Sequence, residues 1–209
     1  MRIVVFGASG GLGLKVLEQA LEVGHVVTAF VRTPAKLGIQ HQNLTTFQGD
    51  VMDADTVKKA IAGQDAVISA LGPVRPPVPG MMETAAKNIV AGMQANRVRR
   101  LISTTGAGVR DPQDQPKVVD HIMKALLTLL AGDVLRDSAA NVNVIQSSDL
   151  DWTIVRFPRL IDDAHTGKYR AGYIGRNSGS QIPRADGADF VLKELTANQW
   201  IRKSPIVSY

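Results

Sequence analysis

The turn Gly7-Ala8-Ser9-Gly10-Gly11-Leu12-Gly13 constrains this chain more than any other feature. It follows Arg2-Ile3-Val4-Val5-Phe6, an apolar, β-branched run that suits a strand buried on both faces. It precedes residues 14–23, where Leu14, Leu17 and Leu21, with Val16 and Ala20, recur at helical spacing. Gly24 then stands where a helix-ending glycine belongs. Glycines at Gly7, Gly10 and Gly13 serve three needs of such a strand-to-helix turn. One lets the chain turn sharply, one lets the backbone approach a pyrophosphate, and one lets helix and strand pack closely. The helix N-terminus adds free N–H groups and a partial positive charge that favour phosphate. The spacing GxxGxxG is one residue longer than GxGxxG. No Gly-Lys-Ser/Thr closes the turn, which excludes a nucleoside-triphosphate P-loop.

Strands and helices alternate from this turn onward. Residues 25–31, 44–48, 65–70, 98–103 and 151–156 read as strands, and residues 54–62, after Asp53 as N-cap, and 81–95 as helices. Residues 169–174 suit a short strand, 186–196 a helix and 204–208 a last short strand. This pattern predicts one α/β domain over residues 1–209: a doubly wound Rossmann fold with a mostly parallel sheet and a small C-terminal substrate-side region. Residues 73–79, rich in proline, read as a stiff connector and not a domain boundary. The polar segments at about 104–117 and 157–183 follow strand ends, where open α/β sheets bind ligands.

Composition removes other classes. None of the 209 residues is cysteine, which excludes a disulfide scaffold, a thiolate metal site and a cysteine nucleophile. It also suits a reducing compartment, and a cytoplasmic protein is expected. The apolar run at 122–130 contains Lys124 and is too short to span a membrane. No signal peptide is read at the N-terminus, because the first apolar run leads into the glycine turn. Arg97, Arg99 and Arg100 form the one tight cluster behind the net charge of +5. They read as a solvated helix end before a strand, so neither a nucleic-acid nor a membrane partner is expected.

The second strand distinguishes between dinucleotides. NAD enzymes place an acid at its end to accept from the ribose hydroxyls. Here no Asp or Glu stands between Val23 and Gly49; Arg32 takes the place and Lys36 follows. A guanidinium fork and a second cation suit a 2′-phosphate, so the expected cofactor is NADP(H). Asp50 reads equally as an acceptor for the adenine amino group or as a turn residue, with Val51 as an apolar edge for the ring. Ala70-Leu71-Gly72 closes the fourth strand with room for the cofactor backbone.

The glycine turn, Val31-Arg32, Gly49-Asp50-Val51 and Gln64-Asp65-Ala66-Val67-Ile68 together resemble atypical short-chain dehydrogenases with an NAD(P)-binding NmrA-like fold. Within that group the likeness is greatest to the biliverdin reductase B, or flavin reductase, branch. Residues 88–93 and Ile182-Pro183-Arg184-Ala185-Asp186-Gly187-Ala188-Asp189-Phe190 extend it over the whole chain. The resemblance implies hydride transfer from NADPH to a planar flavin, quinone or tetrapyrrole-like acceptor, by a monomer or loose homodimer. By position it implies that Gly7, Ser9, Gly10, Gly11, Leu12 and Gly13 hold the pyrophosphate, and Arg32 and Lys36 the 2′-phosphate. It puts Asp50 and Val51 at the adenine, and Ala70, Leu71 and Gly72 at the ribose side. Thr104, Thr105, Phe157, Pro158 and Arg159 fall near the nicotinamide. The chain departs from the pattern at several places. Thr104 or Thr105 replaces the reductase serine, Arg159 its histidine and Phe157 its first proline. The Tyr-x-x-x-Lys pair of many short-chain dehydrogenases is absent from the matching stretch, Asp137-Ser138-Ala139-Ala140-Asn141-Val142-Asn143.

On chemistry alone, negative charge develops on the acceptor as hydride arrives, so Thr104, Thr105, Arg110, Arg159 and Arg170 are candidate donors. Thr104, Thr105 and Arg159 are the expected catalytic residues. His121 reads as a surface or lid residue, and Asp162-Asp163-Ala164-His165 as a turn and not a metal site. Two rival readings remain at this point. One is an NADP(H)-sensing regulator without catalysis; the other is a nucleotide-sugar epimerase or dehydratase, which the short chain disfavours.

Overall fold

The β-branched runs and the apolar helix stripes assemble into three layers. The structure, a computed structural model, describes residues 1–74, 76–116 and 118–209; of residues 118–131 it describes the backbone alone. In chain order the first half comprises β1 (Arg2–Phe6), α1 (Gly11–Glu22), β2 (Val26–Val31), β3 (Leu44–Gln48), α2 (Ala54–Ile61), β4 (Ala66–Ser69) and α3 (Met81–Ala95). The second half comprises β5 (Arg100–Gly106), α4 (Val118–Gln146), β6 (Asp151–Phe157), β7 (Arg159–Ile161), β8 (Arg170–Gly172), β9 (Gln181–Pro183), α5 (Arg184–Ala197) and β10 (Ile206–Ser208).

Among the described residues eight strands form one sheet in the order β3-β2-β1-β4-β5-β6-β10-β8. All its pairings are parallel except that of β8 with β10. Strand alternation sends Ile3 and Val5 into one core, with Leu12, Val16 and Leu17 of α1 and Val191 of α5. Val4 and Phe6 enter the other, with Val57 of α2, Ile89 of α3 and Val142 of α4. The fold is thus the expected single α/β Rossmann-like domain. Asp53 caps α2, its side chain accepting from the Asp55 and Thr56 amides.

The chain runs outward from β1 through β2 to β3, then returns to place β4 on the other side of β1. The carboxyl ends of β1 and β4 therefore flank the point where strand order reverses, which is where such sheets bind ligands.

Four details differ from the sequence reading. First, β5 starts at Arg100 and continues to Gly106, pairing with β6 up to Gly106↔Phe157, so Thr104 and Thr105 are strand residues and not loop residues. Second, residues 118–146, to which the strand–helix alternation assigns no element, form one long helix, α4, which passes through Gly132. A glycine there costs about 1 kcal/mol, which a long helix tolerates. Third, the segment at 157–183 contains the short parallel pair β7–β9 in addition to β8. Fourth, within the arginine cluster Arg97 and Arg99 are exposed as expected, Arg99 reaching Asp151 at 3.1 Å, but Arg100 is buried and reaches Glu194 at 3.0 Å. His121, the apolar side chains at 122–130 and Arg75 of the proline-rich connector lie outside what the structure describes.

Candidate functional site

The glycine turn is built for close approach. Gly7 sits at φ +79°, and a Cβ on it would stand 2.6 Å from the Ala70 carbonyl oxygen. A Cβ on Gly13 would stand 2.1 Å from the Gly7 carbonyl oxygen. Both contacts are with backbone, so no side chain can yield. The first bond of α1 runs from Leu14 N–H to Gly10 C=O at 2.8 Å. The N–H groups of Gly11, Leu12 and Gly13 precede it, and no side chain caps the helix. Ser9, Gly10 and Gly11 are exposed, whereas Leu12 and Gly13 are buried beneath them. Exposed amides above a packed floor, at the positive end of a helix, fit a pyrophosphate.

Arg32 follows β2 at the same edge of the sheet, and Lys36 ends one turn of 3-10 helix at Pro34–Lys36. Both are exposed, and among the described residues neither has a carboxylate partner. Asp50 is exposed and accepts from Met52 N–H at 2.9 Å, the contact of a turn residue. Val51 is 7% exposed; its carbonyl accepts from Asn88 Nδ2 at 2.8 Å. Ala70 and Leu71 are half-buried beside Gly7. Gly72 is exposed, and a Cβ on it would meet nothing within 4 Å, so the protein's own packing does not require glycine there.

Thr104 and Thr105 end β5 next to β4. Thr104 is 5% exposed and shares the face of Ile102; Thr105 is half-buried on the opposite face. Among the described residues neither hydroxyl bonds to its own strand. Phe157 is 2% exposed and packs in the core against Leu12 and Gly187, so its ring supports the site from below. Pro158 is half-buried and Arg159 exposed, the latter held in place by its N–H to Ser180 C=O at 3.2 Å. Arg170, a candidate donor, instead braces the C-terminus, donating to the Tyr209 carbonyl at 3.0 Å. Among the described residues no group of His, Asp and Glu is arranged to hold a metal. His165 lies 3.5 Å from Asp186, and Asp162 is paired with Arg184.

The structure adds two anchors that sequence reasoning did not name. Arg156 is buried in β6 and donates to both Asp114 oxygens at 2.6 and 2.8 Å, to Val109 C=O at 3.2 Å and to Ser204 C=O at 2.8 Å. Asp114 also accepts from Ile174 N–H at 3.0 Å. This pair ties the segment after β5 to the turn after β8. Burial alone pushes the Asp114 carboxyl up, but Arg156 and the Asp111 and Ile174 amides outweigh it and hold the group below the usual carboxylate range. The second anchor is Asp186, fully buried in the first turn of α5. It accepts from Thr166 N–H at 3.0 Å, Gly167 N–H at 2.7 Å and the Tyr209 hydroxyl. Burial opposes ionisation here too, but the Tyr209, Gly167 and Thr166 donors hold its carboxyl low. A lone Arg in the apolar strand Trp152–Phe157 was the available signal for the first anchor, and Asp186 within the singled-out run 182–190 for the second.

Residues 7–198 match the NAD(P)H-binding family. The chain belongs to that family. An uncharacterized Bacillus subtilis member, YwnB, is 29% identical over 93% of this chain and 92% of its own. The fold is shared with a short-chain dehydrogenase/reductase from Veillonella parvula solved in complex with NADP, at TM-score 0.81 and 19% identity over 100% of this chain and 94% of that one. It is also shared with ChuY of Escherichia coli O157:H7, described as an anaerobillin reductase, at TM-score 0.80 and 23% identity over 100% and 97% of the two chains. The dehydrogenases and reductases among the other curated relatives are matched over no more than 39% of their own length. As a member of an NAD(P)H-binding family with an oxidoreductase-like fold, this protein takes a nicotinamide dinucleotide, and the glycine cradle fits one. Among the described residues no helix is long and apolar enough to cross a membrane.

Proposed function

We propose that the protein is an NADPH-preferring reductase that delivers hydride to a planar acceptor of the flavin, quinone or tetrapyrrole class. The observation that carries this reading is Arg32, exposed at the end of β2, with the exposed Lys36 four residues on and no carboxylate partner for either among the described residues. A 2′-phosphate would find a planar guanidinium there, and no acid would repel it. The Veillonella neighbour bound to NADP, the anaerobillin reductase neighbour and the likeness to flavin reductases point the same way.

NADPH supplies the hydride when bound. The glycine turn, from Gly7 to Gly13, would orient the dinucleotide across the β1–β4 crevice, with Asp50 and Val51 at the adenine and Ala70, Leu71 and Gly72 along the ribose. Thr104 and Thr105, with hydroxyls not committed to the strand, would orient the nicotinamide and the acceptor. Phe157 and Pro158 would form the floor and wall of that pocket. The exposed Arg159 would stabilise negative charge developing on the acceptor, and the proton would come from solvent. Residues 1–209 act as one domain in this scheme, with 104–117 and 157–183 shaping the acceptor side of a monomer or loose homodimer in the cytoplasm.

Mixing protein, NADPH and a panel of riboflavin, FMN, quinones and biliverdin, and following absorbance at 340 nm, tests the proposal. Turnover with at least one acceptor is expected, and Arg159→Ala should slow it. Tight NADPH binding with no turnover across the panel would favour an NADP(H)-sensing regulator, a reading supported by the absence of a Tyr-x-x-x-Lys pair from the sequence.

A further inference from the structure

Arg184 opens α5, far along the chain from the glycine turn, yet its side chain lies against that turn. A Cβ built on Gly11 would stand 2.8 Å from Arg184 Nε and 3.1 Å from its Cδ. Gly11 is the first residue of α1, and its N–H is among those ahead of the first helical bond. The Arg184 side chain is 27% exposed, and its guanidinium donates through Nη1 to Asp162 Oδ1 at 2.6 Å. Asp162 itself is 87% exposed. A cation beside a helix N-terminus is repelled by the helix dipole unless an anion lies with them. Here α1 offers no acid in its first turn. The acid in the first turn of α5, Asp186, is occupied with Thr166, Gly167 and Tyr209. The anion on hand is a single exposed carboxylate, and such a pair is weak in water.

We propose that Arg184 is a ligand of the cofactor diphosphate, with Asp162 as a resident counter-ion that the diphosphate displaces. Two phosphates carry more charge than one carboxylate and accept from the Gly11, Leu12 and Gly13 amides at the same time. Residues 162–168, fastened to α5 through Asp186, then hold Asp162 near the cofactor, so its repulsion keeps affinity moderate. The inference rests on the reading that the glycine turn takes the diphosphate and Arg32 the 2′-phosphate. Arg184 acts on what NADPH and NADH share; Arg32 acts on what distinguishes them.

Fluorescence titrations of NADPH and NADH against wild type, Arg184→Gln, Asp162→Asn and Arg32→Ala test it. Arg184→Gln should weaken both dinucleotides by the same factor, about tenfold, the loss of one charge-assisted contact. Asp162→Asn should tighten both by about two- to threefold at low salt, an effect that fades as salt screens it. Adenosine 2′-monophosphate, which lacks the diphosphate, should ignore Arg184→Gln. Unchanged affinities in Arg184→Gln, or a loss confined to NADPH, would overturn the proposal. Should Arg184→Gln melt well below wild type, Asp162→Asn decides: tighter binding supports the proposal and unchanged or weaker binding overturns it. An unchanged NADPH/NADH ratio in Arg32→Ala would overturn the 2′-phosphate reading and leave the role of Arg184 standing.

Discussion

The two ends of the sheet treat charge in opposite ways. At the amino ends of β5 and β6, Arg99 is matched to Asp151 and Arg100 to the buried Glu194. At the carboxyl ends, Arg32, Lys36 and Arg159 are exposed, and among the described residues none has a carboxylate partner. Other polar groups follow the same division: the glycine turn presents N–H groups ahead of its first helical bond, and the carboxyl end of β5 carries two hydroxyls that, among the described residues, do not bond to their own strand. One end spends its polar groups on holding the domain together, and the other keeps them for a ligand. Two pairs at the carboxyl end depart from this: Arg156–Asp114, a buried structural pair that fastens the segments shaping the acceptor side, and Arg184–Asp162 beside the glycine turn.

Replacing Arg100 or Arg156 with Met should produce the largest effects. Each leaves a buried carboxylate without its partner, a loss of about 3–5 kcal/mol visible in denaturant melts. The two should then diverge. In protein that remains folded, Arg156→Met should raise KM for the acceptor and leave the affinity for NADPH unchanged, whereas Arg100→Met should alter neither. Equal effects of the two variants on acceptor KM would erase the division between the ends.

Gly13→Ala should come next. Its Cβ meets backbone at the Gly7 carbonyl, so the turn itself must move. NADPH affinity should fall about 100-fold or more, with about 1–3 kcal/mol lost from the fold. A variant that binds normally would remove the turn from the cofactor site.

A smaller effect appears in acid. The Asp114 and Asp186 carboxyls are held low in the folded protein, so their stabilisation is complete above the unfolded value of about 4 and is lost as pH falls through their folded values. Asp114→Asn should therefore be less stable than wild type at neutral pH and show a flatter loss of stability below about pH 4. An acid limb as steep as that of wild type would mean that the pair does not carry that linkage.

The strand-turn-helix unit at the glycine turn was readable because its determinants are local. The Gly7–Gly13 spacing, the acid-free stretch around Arg32 and the Asp53 cap each act within a few residues of themselves. The acceptor side depends on distant partners. Arg156 meets Asp114 across 42 positions, and Asp186 meets Tyr209 across 23. β7 and β9 have three residues each, too few for a periodic pattern to register. Thr104 and Thr105 read as loop because their polarity masks the pairing with β6 that extends the strand.

The choice between dinucleotides tests the carboxyl end of the sheet most directly. Wild type should bind NADPH at least about tenfold more tightly than NADH in paired titrations at low salt, and Arg32→Glu should reverse that order by placing an acid against the 2′-phosphate. A variant that keeps the wild-type preference would show that the 2′-phosphate is held elsewhere, and the comparison between the two ends of the sheet would lose its main support.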